Sequence, residues 1–170
     1  MSLPALACSL TLSALSWQAV DDVVMGGVSA SSARVTEQGT VLFSGRVSLE
    51  NNGGFASIRS AERRLDLSGG SGLALRVRGD GKRYKLSLRT GGGFDGVQYQ
   101  APFATTAGEW QVVPLPFSAF EPRWRGRLVP DAPPLDPTAV LSVGVVIADR
   151  QAGPFVLELD CLGPLAATAP

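Results

Sequence analysis

Apolar and polar residues alternate one by one along much of this chain, and glycine-rich turns cut the alternation into short runs. In TVLFSGRVSL, Val41, Phe43, Val47 and Leu49 fall on one side, and Ser44, Arg46 and Ser48 on the other. Leu73, Leu75 and Val77 oppose Arg76 and Arg78; Tyr84, Leu86 and Leu88 oppose Lys85, Ser87 and Arg89. Val97, Tyr99 and Phe103 oppose Gln98 and Gln100, and Phe155, Leu157, Leu159 and Cys161 oppose Glu158 and Asp160. A period of two is the signature of half-buried antiparallel strands, whose successive side chains point to opposite faces. Between the runs, GDGKR, GGGFDG, TAGEW and ADRQAGP supply Gly and Asp where a turn needs positive φ. No long amphipathic helix emerges, and PFSAF reads as a single helical turn. The pattern predicts an all-β fold: about ten short strands in a two-sheet antiparallel β-sandwich of jelly-roll type.

The 170 residues suit one domain spanning 1–170, since a globule of this size buries about 70% of its unfolded surface. The stretch Glu121 to Thr138 is too rich in proline to be a central strand, because proline lacks the ladder donor. It is expected to be a long ordered loop packed by Trp124.

Fifteen cations balance fifteen carboxylates, and no long charged run appears. That leaves no electrostatic footprint for nucleic acid. Histidine is absent, which removes Ser-His-Asp and Cys-His catalysis and every histidine-containing metal site. The opening segment MSLPALACSLTLSAL has no positive n-region and is interrupted by Pro4, Ser9, Thr11 and Ser13. It is too short and too polar to span a membrane and reads as a first strand. Cys8 and Cys161 each fall in a strand pattern near one terminus. The favoured reading is two buried free thiols in a reducing cytosol; a disulfide stapling the terminal strands is the alternative.

Several strings carry apparent chemistry. GGGFDG matches GxGxxG, but the strand pattern VQYQAPF follows it where a phosphate-binding helix would be needed. Arg78-Gly79-Asp80 reads as a tight turn. Glu158 and Asp160 lie two apart on one strand, about 6.7 Å along the chain. Leu162 and Gly163 stand where a jelly-roll glucanase would need a third carboxylate, so a solvated strand face is the expectation. Asp21 and Asp22 are expected to brace the Met25-Gly26-Gly27 turn through backbone N–H groups. The less favoured alternative is a hard-cation site with Glu50, Asn51 or carbonyl oxygens. Gly53 and Gly54, before Phe55, point to close backbone approach or a bulge.

The strongest surface signal is a shared phase. Arg76, Arg78, Lys85, Ser87, Arg89, Gln98 and Gln100 all face outward on three consecutive strand patterns, and Arg59 extends the set. If those strands are neighbours, they form a basic, glutamine-bearing sheet face suited to an acidic partner, a phosphate or a sugar.

Trp17 with Asp21-Asp22-Val23-Val24-Met25-Gly26-Gly27-Val28-Ser29, then Gly53-Gly54-Phe55-Ala56-Ser57-Ile58-Arg59, form a specific combination. Arg78-Gly79-Asp80-Gly81 with Tyr84-Lys85, Trp110 and Gly153-Pro154-Phe155 add to it. Together, from about Trp17 to Leu162, they resemble the complex I intermediate-associated protein family. The resemblance implies a galactose-binding-like jelly-roll sandwich and a role akin to a mitochondrial chaperone for respiratory complex I assembly. It transfers no catalytic residue. In the absence of a transit peptide, a bacterial, cytoplasmic form is expected.

The chain therefore reads as a non-enzymatic binding module, a scaffold or assembly factor without cofactor or metal. Its protein partner is expected at the sheet face (Arg59, Arg76, Arg78, Lys85, Arg89, Gln98, Gln100) and at Trp124. The alternative is a carbohydrate or small anionic ligand held by the same fold, with Trp124, Phe94 and Phe55 as the aromatic candidates. Trp17, Asp21, Asp22, Met25, Gly26, Gly27, Gly53, Gly54 and Phe55 are assigned structural roles.

Overall fold

The computed structural model describes residues 8–22, 26–91 and 96–166. The strands are β1 (Leu10–Thr11), β2 (Trp17–Ala19), β3 (Ala30–Val35), β4 (Val41–Val47), β5 (Ala56–Ser60), β6 (Gly72–Arg78) and β7 (Arg83–Arg89). They continue with β8 (Gln98–Ala104), β9 (Trp110–Pro116), β10 (Glu121–Trp124), β11 (Arg127–Leu128), β12 (Ser142–Ile147) and β13 (Gly153–Leu165). Sheet A runs β3-β4-β13-β6-β9, with β1 also on β13; sheet B runs β11-β10-β8-β7-β12-β5-β2. Every strand pairing is antiparallel. The all-β sandwich foreseen from the alternation is present, and PFSAF supplies a 3-10 turn at Phe117–Ala119.

The two sheets bury their apolar phases against each other. Val41, Phe43, Leu75, Val77, Leu157 and Leu159 come from sheet A; Ile58, Leu86, Leu88, Val143, Val145 and Ile147 come from sheet B. Each such side chain contributes roughly 1.5–3 kcal/mol on burial. Phe43 meets Phe155 edge-on with ring centroids 4.8 Å apart, and Tyr84 stacks on Phe103 across 6.0 Å. Burial pushes the Tyr84 hydroxyl well above its ordinary range, and the Asp80 carboxylate adds to the shift. Asp80 accepts hydrogen bonds from the Tyr84 hydroxyl and from the amides of Lys82 and Val156. The Arg-Gly-Asp string is therefore a turn that anchors β7 to β13.

Two expectations need correction. Cys8 and Cys161 are not free thiols: they form a disulfide across a separation of 153 residues. The pairing of Leu10 and Thr11 with Leu162 and Cys161 carries Cys8 alongside β13, bringing the two Cα atoms to 5.6 Å, within bridging range. Among the described residues of the opening segment, the expected first strand is the two-residue β1, followed by a 3-10 turn at Leu12–Ala14. The proline- and arginine-rich stretch is not packed by Trp124, which is 40% exposed. Its first part forms the β10–β11 hairpin at the edge of sheet B, where proline does not interrupt a central ladder. The loop beyond is tied down by the Tyr99 hydroxyl, which donates to the Pro133 carbonyl at 2.6 Å.

Candidate functional site

The acidic pair joins the two sheets. Asp22 is fully buried, and its carboxylate accepts from the Ser29 amide (2.8 Å), the Ser29 hydroxyl, and the amides of Gly54 (2.8 Å) and Phe55 (3.3 Å). Asp21 accepts from the Ser31 amide (2.8 Å), the Ser31 hydroxyl (2.6 Å) and the Ser57 amide (3.1 Å). Ser31 lies on β3 of sheet A and Ser57 on β5 of sheet B, so one side chain laces both layers. A Cβ on Gly27 would stand 2.4 Å from the Asp22 carboxyl carbon, and one on Gly53 would stand 2.6 Å from its Oδ2. Glycine at these positions lets the backbone close over the buried carboxylate. Burial opposes ionisation of Asp22, but the Ser29, Gly54 and Phe55 donors outweigh it and hold the carboxyl below its ordinary value. These surroundings are hydrogen-bond donors, the wrong sign for a cation. Trp17 packs on the core and donates its indole N–H to the Leu12 carbonyl at 2.9 Å. Met25 lies outside the described residues.

The single basic face foreseen from the sequence does not exist. Strands β6 and β7 follow one another in the chain but lie in different sheets, so Arg76 and Arg78 are separated from Lys85, Arg89, Gln98 and Gln100. On sheet A, Arg76 pairs with Asp160 and Arg78 with Glu158, each at 2.7 Å. Both guanidinium groups lie over the Trp110 ring, 4.2 and 5.3 Å from its centroid, adding cation–π attraction. Glu158 is buried rather than solvated and also accepts from the Thr40 hydroxyl at 2.7 Å. A bulge in β13 between Leu159 and Cys161 shifts Asp160 out of simple register with Glu158, so the two carboxylates serve separate arginines.

Sheet B holds the rest of the set. Strand pairing lines up Glu121, Gln100, Ser87, Gly144, Arg59 and Gln18 in one row across its outer face. Leu128, Arg123 and Gln98 lie in a parallel row, and Arg89 pairs with Ser142 beyond them. Exposure falls along β7 from Arg83 through Lys85 to buried Ser87 and Arg89, so the face is covered toward that end. The Ser87 hydroxyl donates to Gln98 Oε1 at 2.7 Å, and Gln100 donates to the same oxygen at 3.2 Å. Lys85 pairs with Asp149 at 3.6 Å and Arg123 with Glu121 at 3.4 Å. Arg59 and Arg89 have interactions of their own. Ser142 and Gly144 went unnoticed in the sequence because SVGVVI reads as a continuously buried strand; only the register against β7 shows which residues face out.

Beside this face stands the β10–β11 hairpin. Arg125 (φ 49°) and Gly126 (φ 81°) make its two-residue turn, a left-handed pair matching the twist of the strands. Trp124 and Leu128 are 40% and 52% exposed, and the Arg125 guanidinium lies 4.8 Å from the Trp124 ring centroid. Phe94 lies outside the described residues. A separate open depression of about 670 Å³ beside the acidic clasp is lined by Val28, Arg46, Leu49, Glu50 and Gly153. Ser48 also lines it, and its hydroxyl accepts from the Glu50 amide at 3.2 Å; among the described residues no base is paired with it.

Comparison with known proteins decides the family. Residues 9–159 match the family model described as complex I intermediate-associated protein 30. The chain belongs to this family. It is 31% identical over 156 residues to the probable complex I intermediate-associated protein 30, mitochondrial, of Caenorhabditis elegans, covering 81% of this chain and 46% of that one. To the mouse protein of the corresponding name it is 36% identical over 108 residues, covering 60% of this chain and 33% of that one. The chain thus spans about half the length, or less, of these relatives. Among solved structures, the family 11 carbohydrate-binding module of a Clostridium thermocellum cellulosomal cellulase superposes with a TM-score of 0.67 at 16% identity, covering 99% of this chain and all of that one. A complex of a Clostridium thermocellum family 11 module with a β-1,3-1,4-mixed-linked tetrasaccharide gives 0.63 at 19% identity over 89% of this chain and 91% of that one. At such identities the likeness establishes the galactose-binding-like sandwich fold alone. The cytoplasmic expectation is overturned, because the animal relatives are named as mitochondrial proteins. The same relatives give the bacterial expectation no support. No helix among the described residues is long and apolar enough to cross a membrane.

Proposed function

We propose that this chain is a non-enzymatic protein-binding module that assists assembly of respiratory complex I in mitochondria. The observation that carries this reading is the β10–β11 hairpin. Among the described residues of sheet B, Trp124 and Leu128 are the large hydrophobic side chains that stay exposed. Exposed aromatic and arginine side chains on a rigid turn are favoured anchors for a protein partner. Leu128 shares the phase of Arg123 and leads onto the outer face of sheet B, whereas Trp124 stands in the opposite phase of the hairpin. Membership of the family supports complex I as the destination. The chain has no histidine, and the acidic groups of the described sites are engaged by amides, hydroxyls or arginines, which supports a role without turnover.

The test is comigration of the purified chain with detergent-solubilised complex I assembly intermediates on native gels. Trp124→Ala with Leu128→Ser should abolish comigration and leave the thermal melt unchanged, since both residues are exposed. Undiminished comigration of that double variant, or substrate turnover by the purified chain, contradicts the reading.

A second reading is favoured by the polar residues of the sheet B face: a carbohydrate-binding module using the row from Gln100 through Gly144 to Arg59. Trp124 is not part of that site, because it lies in the opposite phase of β10 from Glu121 and Arg123, the residues paired with Gln100 and Gln98. Binding of any oligosaccharide, detected by chemical-shift changes in β7, β8 and β12, tests it.

A further inference from the structure

We propose that the partner engaged by the β10–β11 hairpin presents an acidic segment, a peptide stretch in which carboxylates stand beside an apolar side chain, to the Trp124 and Arg127 face of that hairpin. The inference rests on the protein-binding reading and fixes the chemistry of the partner.

The first observation is an inward-pointing tryptophan that the protein does not cover. Pro122 pairs with Tyr99, and Tyr99 is buried in the core at 4% exposure. Trp124 lies two residues further along β10 and so shares the inner phase, yet it stays open to solvent. Further into sheet B the same side is closed, with Leu86, Leu88, Val143 and Val145 buried. The hairpin therefore carries the sheet past the layer that covers it. Burying an aromatic side chain is strongly favourable, so an uncovered indole on the core side of a sheet marks a place that a partner can complete. Arg127 is the cross-strand partner of Trp124 and leaves the hairpin on the same face. The Arg125 guanidinium lies against the indole.

The second observation is charge. Residues 121–128 hold three arginines and one carboxylate, a net charge of +2 in a chain whose total is zero. That carboxylate, Glu121, is spent on Arg123, which also donates to the Gly126 carbonyl. Both lie in the opposite phase, on the Leu128 side. The Trp124 face thus combines indole and arginine with no acid from the hairpin itself. Arg127 is exposed and makes no ion pair among the described residues. A guanidinium grips a carboxylate through two parallel N–H donors, and the indole takes an apolar neighbour. An acidic segment supplies both. One indole on this face offers a bilayer little apolar area, whereas tryptophan and arginine are the residue types that dominate protein interfaces.

The experiment is titration of the purified, disulfide-intact chain, read at the indole N–H resonance of Trp124. The probes are a synthetic peptide of glutamate-leucine-glutamate repeats, the same peptide with glutamine for glutamate, and phosphatidylglycerol vesicles. The glutamate peptide should shift that resonance and bind at least about tenfold more tightly than the glutamine peptide. Its affinity should fall about tenfold between about 0.05 M and about 0.5 M salt, because the contact is exposed and screened. Arg127→Glu should weaken it at least about tenfold and abolish comigration with complex I intermediates, while Arg127→Lys keeps part of both. Neither substitution should move the melting temperature, since Arg127 is exposed. Equal binding of the two peptides overturns the acidic chemistry and leaves the protein-binding reading standing. So does comigration that is lost in Trp124→Ala with Leu128→Ser but ignores Arg127→Glu. Vesicle binding without binding of the glutamate peptide overturns the inference in favour of an anionic bilayer. Comigration that survives both the double variant and Arg127→Glu overturns the protein-binding reading together with the inference.

Discussion

The outer faces of the two sheets carry similar residues and do different work. On sheet A, two arginines meet two carboxylates and share one indole, so Arg76, Arg78, Glu158, Asp160 and Trp110 satisfy one another. On sheet B, amides and hydroxyls surround a glycine, and Ser142 keeps an unused hydroxyl. Internally paired charge leaves a surface with its polar groups satisfied, whereas sheet B keeps part of its hydrogen-bonding capacity unspent. Net charge and residue type do not distinguish these cases, because the difference lies in which strands become neighbours.

The largest effect comes from breaking what the two sheets share. Asp22→Ala leaves the amides of Ser29 and Gly54 without acceptors in a buried site. It should cost about 3 kcal/mol or more in a urea melt and loosen both faces together. The same carboxylate carries a pH signature. Its folded value lies below the ordinary 3.8, so its stabilisation is complete above that value and disappears as pH falls through the lower folded value. Asp22→Asn should flatten the loss of stability below about pH 4, and an unchanged acid limb would contradict that assignment.

Reduction of the Cys8–Cys161 disulfide comes next and belongs to sheet A, since β1 pairs only with β13. It should cost about 2–4 kcal/mol, read by melting with and without a thiol reductant. Within sheet A, Glu158→Ala removes the carboxylate that accepts from the Thr40 hydroxyl and Arg78 and should cost about 2 kcal/mol by denaturant titration. Arg78 is 45% exposed at its side chain, so solvent screening keeps the ion-pair share of that cost small. The smallest effect sharpens the contrast: Gln18→Ala, at an exposed position in the sheet B row, should change stability by no more than about 0.5 kcal/mol. A cost matching that of Glu158→Ala would show that the two faces are built alike.

Much of the architecture is legible in the alternation itself, because each inward residue of the TVLFSGRV, GLALRVR and RYKLSLR runs is fixed by the pleat. The acidic pair is legible in part: Asp beside Gly-Gly signals backbone bracing, but the amides that the Asp21 and Asp22 carboxylates accept from belong to Ser29, Ser31, Gly54, Phe55 and Ser57 rather than to the Gly26-Gly27 turn. The division of outward residues between sheets is not legible, since the turn GDGKR looks the same whether it closes a hairpin or crosses from one layer to the other. Trp110 is seen as a motif residue but not as the platform under Arg76 and Arg78, because that contact depends on β9 pairing with β6. The disulfide depends on β1 lying beside β13, a contact between chain ends that no local pattern encodes.

Hydrogen–deuterium exchange, with the chain alone and bound to partly assembled complex I, separates the faces most directly. If sheet B is the recognition side, protection appears on β7, β8 and β12 and across the β10–β11 hairpin, while β6, β9 and β13 exchange as in the free chain. Protection confined to β6, β9 and β13, with sheet B unchanged, contradicts that assignment.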